Sequence, residues 1–337
     1  MRGERFADLR LLMPHSDLAQ NPTRVVPQPP ENATDAHLPH PVLLLVNGHS
    51  RTGQEVFGTA ITALREAGID VKEAVLAKDR AETERRLREE IANGARLVIV
   101  GGGDGTLSTC AETLAGSHVA MGVLPLGTGN TFARSIGIPV DLRGAVQNIA
   151  DGRIESVDVG KCNGQVFLNS VSLGLSAEIA GALTRPVKKK LGLFSWPVIG
   201  AKVLATHRSL RVRVLSQERS FTVKTHQLVI ANGRYVAGPV KASENASLQD
   251  HELTVFALGG GSKQALFRAA WHWLRHTHKE AREVPFFETK SLRVESLGRR
   301  IKANVDGEIN EHTPLEISVW PRALRVVVPQ GFVADEV

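Results

Sequence analysis

The first half of the chain alternates short apolar runs with segments of helical periodicity. Residues 42–46 form an unbroken apolar run, and residues 97–100 and 119–124 repeat that pattern. Continuous runs of this length are typical of parallel strands that are buried on both faces. Between them, residues 56–67 and 81–92 place apolar side chains at helical spacing. The pattern predicts a parallel α/β domain from about residue 41 to 155.

After about residue 155 the chain changes to short, β-branched segments in which apolar and polar positions alternate. Segments of this kind, separated by short turns, predict an antiparallel β domain over about residues 156–321. We interpret residues 221–230 as one strand, and residues 317–319 and 324–328 as two separate strands. The pattern leaves open a return of the segment after about residue 322 to the first domain.

The positive charge of the chain is concentrated in one segment. The 337 residues include 41 Lys and Arg against 35 Asp and Glu, which gives a net charge of +6. Residues 179–217, which overlap a helical insertion predicted at 178–204, hold basic residues and no acidic one. A second predicted helical insertion, at 263–278, mixes tryptophan with cations.

Basic residues beside tryptophan are typical of proteins that dock on anionic membrane surfaces. A solvated basic face is the alternative, and no groove-reading motif indicates nucleic acid. The residues predicted to dock are Lys188, Lys189, Lys190, Trp196, Trp271 and Trp273.

Neither end of the chain carries a membrane-spanning signal. No apolar stretch reaches the roughly 18 residues that a transmembrane helix needs. Residues 1–40, rich in Pro, Asn and His, lack the apolar core of a signal peptide and are predicted to be a mobile leader. Two cysteines suit a reducing compartment. We therefore expect a cytoplasmic protein that associates peripherally with the inner membrane surface.

Three polar, glycine-bearing turns follow three of the predicted strands, at residues 47–53, 101–106 and 127–130. The carboxyl ends of parallel strands meet at one sheet edge, where ligands bind. A glycine-rich turn before a helix attracts phosphate through its backbone N–H groups, and Asp104 then needs Mg²⁺ or water between its carboxylate and the phosphate. Each turn alone is compatible with a plain tight turn, and the loop fits neither the dinucleotide nor the Walker pattern. Together the turns predict a site for a phosphate-bearing ligand.

Several ordered motifs resemble the diacylglycerol kinase catalytic family, which includes soluble bacterial lipid kinases and the related sphingosine and ceramide kinases. The motifs are Gly-Gly-Asp-Gly-Thr at 102–106, Pro-Leu-Gly-Thr-Gly-Asn at 125–130, Asn-Gly at 232–233, the segment 246–250 and Asp-Gly-Glu at 306–308. The resemblance runs from about residue 41 to 328. It implies an α/β nucleotide domain and a β-sandwich domain with the active site in the cleft between them.

The resemblance also implies roles for individual residues. Asp306 would be the general base, with Glu308 its neighbour near the metal, and Asp104 and Asp250 would hold Mg²⁺. The residues implied to contact ATP are Asn47, Ser50, Arg51, Gly102, Gly103, Asp104, Gly105, Thr106, Thr128 and Asn130. Without the resemblance, the Asp-Gly pair at 306–307 would be interpreted as a surface hairpin turn.

This chain departs from the family pattern at four positions. Gly48 stands where the family often has Pro, and Thr109 stands where it usually has Glu. Thr131 replaces a frequent Asp, and His251 replaces a common Gly in the second metal loop. The last change bears directly on the Mg²⁺ site predicted at Asp250.

These observations favour an ATP- and Mg²⁺-dependent lipid kinase that phosphorylates a hydroxyl of a membrane lipid, with diacylglycerol, which gives phosphatidic acid, as the first candidate. A ceramide or sphingoid-base kinase on the same fold is the alternative acceptor class. An NAD kinase and a catalytically silent nucleotide- or lipid-binding regulator are further alternatives. The sequence is also compatible with a homodimer.

Overall fold

The computed structural model describes residues 41–48, 51–182, 202–203, 206–243, 246–258 and 286–332. Ser50, the predicted leader, the predicted helix at 263–278 and the six predicted membrane-docking residues lie outside these ranges. Within the described residues, no helix has the length and apolar character to cross a membrane.

The N-terminal part is a parallel sheet with helices between its strands, as the hydrophobic pattern predicts. Four strands stand in the spatial order second, first, third, fourth. The unbroken apolar runs of the first, third and fourth strands are buried because helices cover the sheet, whereas the second strand, at the sheet edge, is partly exposed. The elements are β1 (Val42–Asn47), α1 (Arg51–Glu66), β2 (Val71–Ala77), α2 (Arg80–Ala92), β3 (Leu97–Gly102), α3 (Asp104–Leu114), β4 (Ala120–Pro125), α4 (Thr131–Ser135) and α5 (Leu142–Asp151).

The remainder is predominantly antiparallel β structure, so the predicted fold class is confirmed. The elements are β5 (Arg153–Cys162), β6 (Gln165–Phe167), β7 (Ser170–Gly174), α6 (Leu175–Ala182), β8 (Leu210–Ser216), β9 (Ser220–Thr225), β10 (Gln227–Ala231), β11 (Tyr235–Ala237), β12 (Val240–Lys241), β13 (Leu253–Leu258), β14 (Phe286–Thr289), β15 (Ser291–Ser296), β16 (Lys302–Val305), β17 (Glu308–His312) and β18 (Leu315–Val328).

One long strand, β18, joins the two parts. Its second half lies parallel to β4, with Val326 opposite Met121, and packs in the core of the α/β part. Its first half pairs with β15, and Ile317 packs in the second core. A single sheet therefore runs β2-β1-β3-β4-β18-β15-β8-β9, with β5 and β6 attached beside β18. The segment after about residue 322, whose return to the first domain was left open, pairs with the first sheet through β18.

A second sheet packs on the β part of the first. Its order is β14-β13-β10-β7-β16-β17. One buried cluster contains Val212 and Leu292 from the first sheet together with Val171, Leu228 and Val255 from the second. Alternate residues of β7 and β10 face this core, which leaves Ser172 and Val229 on the opposite face of the sheet.

Two strand predictions were wrong. Residues 221–230 form two strands in different sheets, because the chain crosses between the sheets at His226. The His226 N–H donates to the Leu258 carbonyl, and the Thr225 hydroxyl lies within hydrogen-bond distance of the Gln227 and Leu258 carbonyls, which share its proton. Residues 317–319 and 324–328, predicted to be separate, belong to the continuous β18.

Gly160 of β5 contacts Phe167 of β6 close to the place where the α/β part and the β part meet. The two residues lie directly opposite each other, and Phe167 is fully buried. A Cβ added at Gly160 would lie 2.0 Å from the Phe167 ring.

We expect Gly160→Ala to lower the free energy of unfolding by about 1–3 kcal/mol, since an overpacked core must shift its backbone or side chains. Gly58→Ala in α1 is the matched control, because no heavy atom lies within 4 Å of its added Cβ. Urea titrations measure both variants, and an unchanged midpoint for Gly160→Ala would contradict the packing described.

Candidate active site

The three predicted phosphate-binding turns meet at one sheet edge. The Asn47 side chain donates to the Thr106 hydroxyl at 2.8 Å, which links the end of β1 to α3. The Leu126 N–H donates to the Gly102 carbonyl at 2.9 Å, which links the ends of β4 and β3. Arg51 is the first residue of α1, which begins at the same edge. The structure therefore brings together the described residues that were predicted to contact ATP.

Asn130 shapes its turn from within. Its backbone is in the left-handed region, with φ of 50°, and the residue is only 5% exposed. Its side-chain oxygen accepts the Gly127 N–H at 2.9 Å, and its amide nitrogen donates to the carbonyls of Pro125 and Gly127. Because this amide is satisfied inside the turn, Asn130 positions Thr128 and Gly129, which line the cleft.

Asp104 lies at the first turn of α3 and faces the cleft. Its two carboxylate oxygens accept one hydrogen bond each, from the Phe132 N–H at 3.1 Å and the Thr131 hydroxyl at 3.2 Å. Thr131 in turn accepts the Gly238 N–H at 2.8 Å. The family's frequent Asp at position 131 would set a second carboxylate here, and Thr131 supplies a donor instead. Asp104 keeps free lone pairs and fits a cation whose other ligands are phosphate oxygens.

The cleft beside these turns has a volume of about 890 Å³ and two different walls. The turns and Asp104 form one wall. The other wall combines polar side chains, among them Ser170 and Asn304 near Asp306, with apolar ones on α6, β10 and the 236–239 loop. Its polar members are Asn169, Ser170, Ser172, Ser176, Gln227 and Asn304, and its apolar members are Ile179, Ala180, Val229, Val236, Ala237 and Pro239.

Four hydrogen-bond donors hold the carboxylate of Asp306 in place. Its carboxylate accepts the backbone N–H groups of Leu168, Asn169 and Ser170 at 2.6, 3.0 and 2.9 Å. The Ser108 hydroxyl of α3 donates to the same carboxylate at 2.6 Å. Burial raises the pKa of Asp306, and these four donors oppose the rise.

The general-base role of Asp306 stays a prediction, and the structure shows how its carboxylate is held in the cleft. A carboxylate has about four lone-pair sites, and these four donors occupy them in this structure. Asp306 and Gly307 both have positive φ and connect β16 to β17, as in a two-residue hairpin turn. The residue therefore belongs both to a hairpin turn and to the border of the cleft.

Glu308 does not line this cleft but borders a smaller cavity together with Arg80 and Asp306. Its side chain is 49% exposed and lies 3.5 Å from the Arg80 guanidinium. Arg80 also contacts Glu84 at 2.8 Å and Glu112 at 2.5 Å. The hydrogen bond to Glu84, followed by the charges of Glu112 and Glu308, raises the pKa of Arg80 against the opposing effect of burial. Glu308 was predicted to lie near the metal, and the structure places it beside Arg80.

The departure at Thr109 has a local explanation. The Thr109 hydroxyl donates to the Gly105 carbonyl at 3.0 Å, within α3. Glu112, nearly one helical turn later, supplies a carboxylate to Arg80.

Three residues at the site were not predicted from the sequence: Ser108, Arg80 and Asn169. Ser108 follows Asp104 by four residues on one helix, and this spacing was the signal that could have found it.

The Mg²⁺ predicted at Asp250 stays a prediction, and hydrogen bonds from the protein already engage the carboxylates there. The Asp250 carboxylate accepts the Ser247 and Glu252 N–H groups, both at 2.9 Å. The nearby Asp158 carboxylate is held by the His251 ring at 3.0 Å and by the Arg322 N–H at 2.7 Å. No group of three or more His, Cys, Asp or Glu residues suited to a metal occurs within the described ranges. His251 thus places a ring beside the carboxylates where the family commonly has Gly.

The contact between the glycine turns predicts the effect of Gly127→Ala. A Cβ at Gly127 would lie 2.5 Å from Gly103 Cα and 2.9 Å from Asn130 Oδ1. We expect a loss of about 1–3 kcal/mol of stability, because backbone must move to relieve the clash. Gly105→Ala is the control, since its added Cβ meets nothing within 4 Å. Thermal melts compare the variants, and equal melting temperatures would contradict the contact.

Asp250 predicts a pH dependence of stability. Burial raises its pKa to about 6, from an ordinary value of 3.8, despite two backbone donors. A raised carboxyl pKa stabilises the folded state at low pH, and this contribution is lost as pH rises from about 4 to 6. Wild type should therefore lose stability relative to Asp250→Asn across this window, as measured by urea unfolding. The difference between the two proteins should be constant from pH 7 to 9, and a constant difference below pH 6 would contradict the prediction.

Comparison with known proteins agrees with this geometry. The sequence matches the family described as "Diacylglycerol kinase catalytic domain" over residues 41–162. It also matches the "YegS C-terminal NAD kinase beta sandwich-like domain" over residues 169–328. The two matches meet near the end of β5, within the joined sheet.

Relatives match along both domains. A "Probable lipid kinase YegS-like" of Pseudomonas aeruginosa is 30% identical over 307 residues, which covers 86% of this chain and 95% of that protein. A "Diacylglycerol kinase" of Mycobacterium tuberculosis is 28% identical and covers 85% and 93%. A crystal structure of a diacylglycerol kinase from Bacillus anthracis has the same fold, with a TM-score of 0.67 at 22% identity, covering 87% of this chain and 98% of that one. Membership in a kinase family implies ATP as a substrate, and the chain belongs to the lipid kinase family that carries the diacylglycerol kinase catalytic domain.

Proposed function

We propose that this protein is an ATP- and Mg²⁺-dependent lipid kinase that transfers the γ-phosphate to a hydroxyl of a membrane lipid. Diacylglycerol, which gives phosphatidic acid, is the first acceptor to test, and ceramide or a sphingoid base is the alternative. The observation that carries the proposal is the pairing of a phosphate-binding edge with a wall that is partly polar and partly apolar, across one cleft.

The glycine turns support the nucleotide half of the proposal. In phosphoryl transfer the bond from the γ-phosphorus to the leaving oxygen breaks while the acceptor oxygen bonds to phosphorus, and the hydroxyl proton passes to a base, for which Asp306 at the cleft is the proposed acceptor. The protein contributes mainly position and charge neutralisation, because the transition state is loose. Mg²⁺ bound with ATP would neutralise phosphate charge, and Asp104 is the residue proposed to hold it. Backbone N–H groups at the start of α3 would orient the phosphates.

The second wall supports the lipid half. A hydroxyl that enters between Asp104 and Asp306 would leave an acyl chain against the apolar side chains of α6 and β10. Docking on an anionic membrane stays a prediction from sequence, since the six residues predicted to dock lie outside the described residues. Peripheral association and a homodimer likewise stay predictions.

Labelled ATP with Mg²⁺ and mixed micelles tests the proposal. The acceptors are diacylglycerol, ceramide, sphingosine, monoacylglycerol and, as the alternative kinase substrate, NAD. We expect label in at least one lipid, and a loss of about a hundredfold or more in Asp104→Asn, because charge stabilisation at the phosphate is removed.

Glu66→Gln, an exposed change at the end of α1, is the matched control and should keep wild-type transfer. Label in NAD alone would favour an NAD kinase. Nucleotide binding without transfer to any acceptor would favour a catalytically silent regulator, and either result would overturn the lipid kinase.

A further inference from the structure

The polar half of the cleft wall lies on one face of the second sheet. Ser172 of β7 stands directly opposite Val229 of β10 on one side and Asn304 of β16 on the other. The apolar half continues from Val229 to Phe256, in a separate buried cluster. In this row across the sheet, Asn304 and Ser172 thus lie on the side of the Asp306 turn, and Val229 and Phe256 lie farther from it. A lipid that presents its hydroxyl to the phosphate edge would place its first linkage against the polar groups.

The hydroxyls of Ser172 and Ser176 leave one donor unused. They lie 2.9 Å apart and share a single hydrogen bond. Gln227 is 6% exposed, donates to the Ser176 hydroxyl at 2.5 Å and accepts the Ser176 N–H at 2.8 Å. Two hydroxyl protons are present and one is used between the serines. The other therefore has no acceptor among the described residues, and both serines border the cleft.

Asn169 provides the complementary unused group. It is 5% exposed, and its buried side-chain oxygen has no hydrogen-bond partner among the described residues. The backbone on either side of this residue is fixed, because three successive N–H groups from 168 to 170 bind Asp306. Buried amide oxygens of Asn148, Asn232 and Gln249 also lack a partner among the described residues, but of these four acceptors Asn169 is the one that borders the cleft.

Resting on the proposed lipid kinase function, we propose that Asn169 and the Ser172–Ser176 pair form a subsite for an amide linkage in the acceptor lipid. The amide N–H donates to Asn169 Oδ1, and the amide carbonyl accepts the unused serine proton. An ester offers the carbonyl but no N–H, so it leaves Asn169 unsatisfied. A site built for a donor rejects the analogue that lacks it. The cleft therefore selects hydroxy lipids with an amide, of the ceramide type, over esters of the diacylglycerol type.

A matched pair of acceptors tests the subsite. N-dodecanoylethanolamine and ethylene glycol monododecanoate have the same chain and the same reacting hydroxyl, and differ only in N–H against O. We expect wild type to have a kcat/KM for the amide at least about fivefold above that for the ester, from one hydrogen bond to a buried acceptor. A ratio of one or below in wild type overturns the subsite, whatever the variants do.

Two variants separate the contribution of Asn169 from that of the two serines. Asn169→Leu, close in volume, should slow the amide and leave the ester nearly unchanged, so that the ratio falls toward one. The double variant Ser172→Ala with Ser176→Ala should slow both acceptors equally, because each has a carbonyl, and should keep the ratio. Binding of a fluorescent ATP analogue and the melting temperature are measured alongside, so that a misfolded variant is recognised. A variant Asn169→Leu that folds, binds nucleotide and keeps the wild-type ratio would also overturn the subsite.

Failure of the subsite and failure of the proposed function give different results. Transfer to both acceptors at equal rates leaves a lipid kinase without this selectivity. The absence of transfer to any lipid in the wider panel removes the kinase function itself and the inference that rests on it.

Discussion

The buried carboxylate of Asp306 connects the two walls of the cleft. One of its donors is Ser108, on the helix that begins with the phosphate-binding turn. The others are the successive N–H groups of residues 168–170, which lead into the strand that carries the acceptor wall. Removing such a charge from water costs several kcal/mol, and its hydrogen bonds roughly offset that cost. The interaction therefore adds alignment more than stability, since four directed bonds fix one helix against one loop.

The long strand β18 makes that alignment possible, because it belongs to both cores. A hinged pair of separate sheets would let the phosphate edge and the acceptor wall move apart. Here Leu324 and Val326 are buried with the α/β part, and Leu315 and Ile317 are buried with the sandwich. The strand also pairs along most of its length with β5, the strand that leaves the first domain. Two antiparallel strands that cross the junction together resist bending more than a single linker would.

The fold of the α/β part could be predicted because its strands are buried on both faces and its helices lie between them. Local periodicity is enough there, and residues 42–46 and 97–100 were placed correctly for that reason. In the β part, local periodicity was not enough wherever a strand pairs with a partner that is distant in sequence. Strand β7 was missed because Ser170 and Ser172 face the cleft, which removes the apolar signal on that side. The break at His226 depends on a bond to Leu258, which no local pattern contains.

The candidate site, too, could be predicted from the sequence only in part. That the turns meet follows from the carboxyl-edge rule, and their contacts in the structure agree with it. What each side chain does there depends on neighbours far along the chain. Asn130 turns inward to its own loop, Asp306 is filled by donors more than 130 residues away, and Glu308 is held beside Arg80. A motif specifies which residues are present at a site, and the surrounding packing decides which of their lone pairs remain available to a ligand.

The groups left unsatisfied in this molecule are therefore informative. The interior of a protein tolerates few buried polar atoms without partners, and strained or underpaired groups cluster where ligands bind. Asp306, buried and ionisable, received four donors, whereas Asn169 beside it received none for its side-chain oxygen. These two residues lie on different loops that contact each other, and they differ in this way because the protein completes one environment by itself. The other environment is complete only when a molecule in the cleft supplies the missing donor, and the chemistry of that donor then selects the substrate.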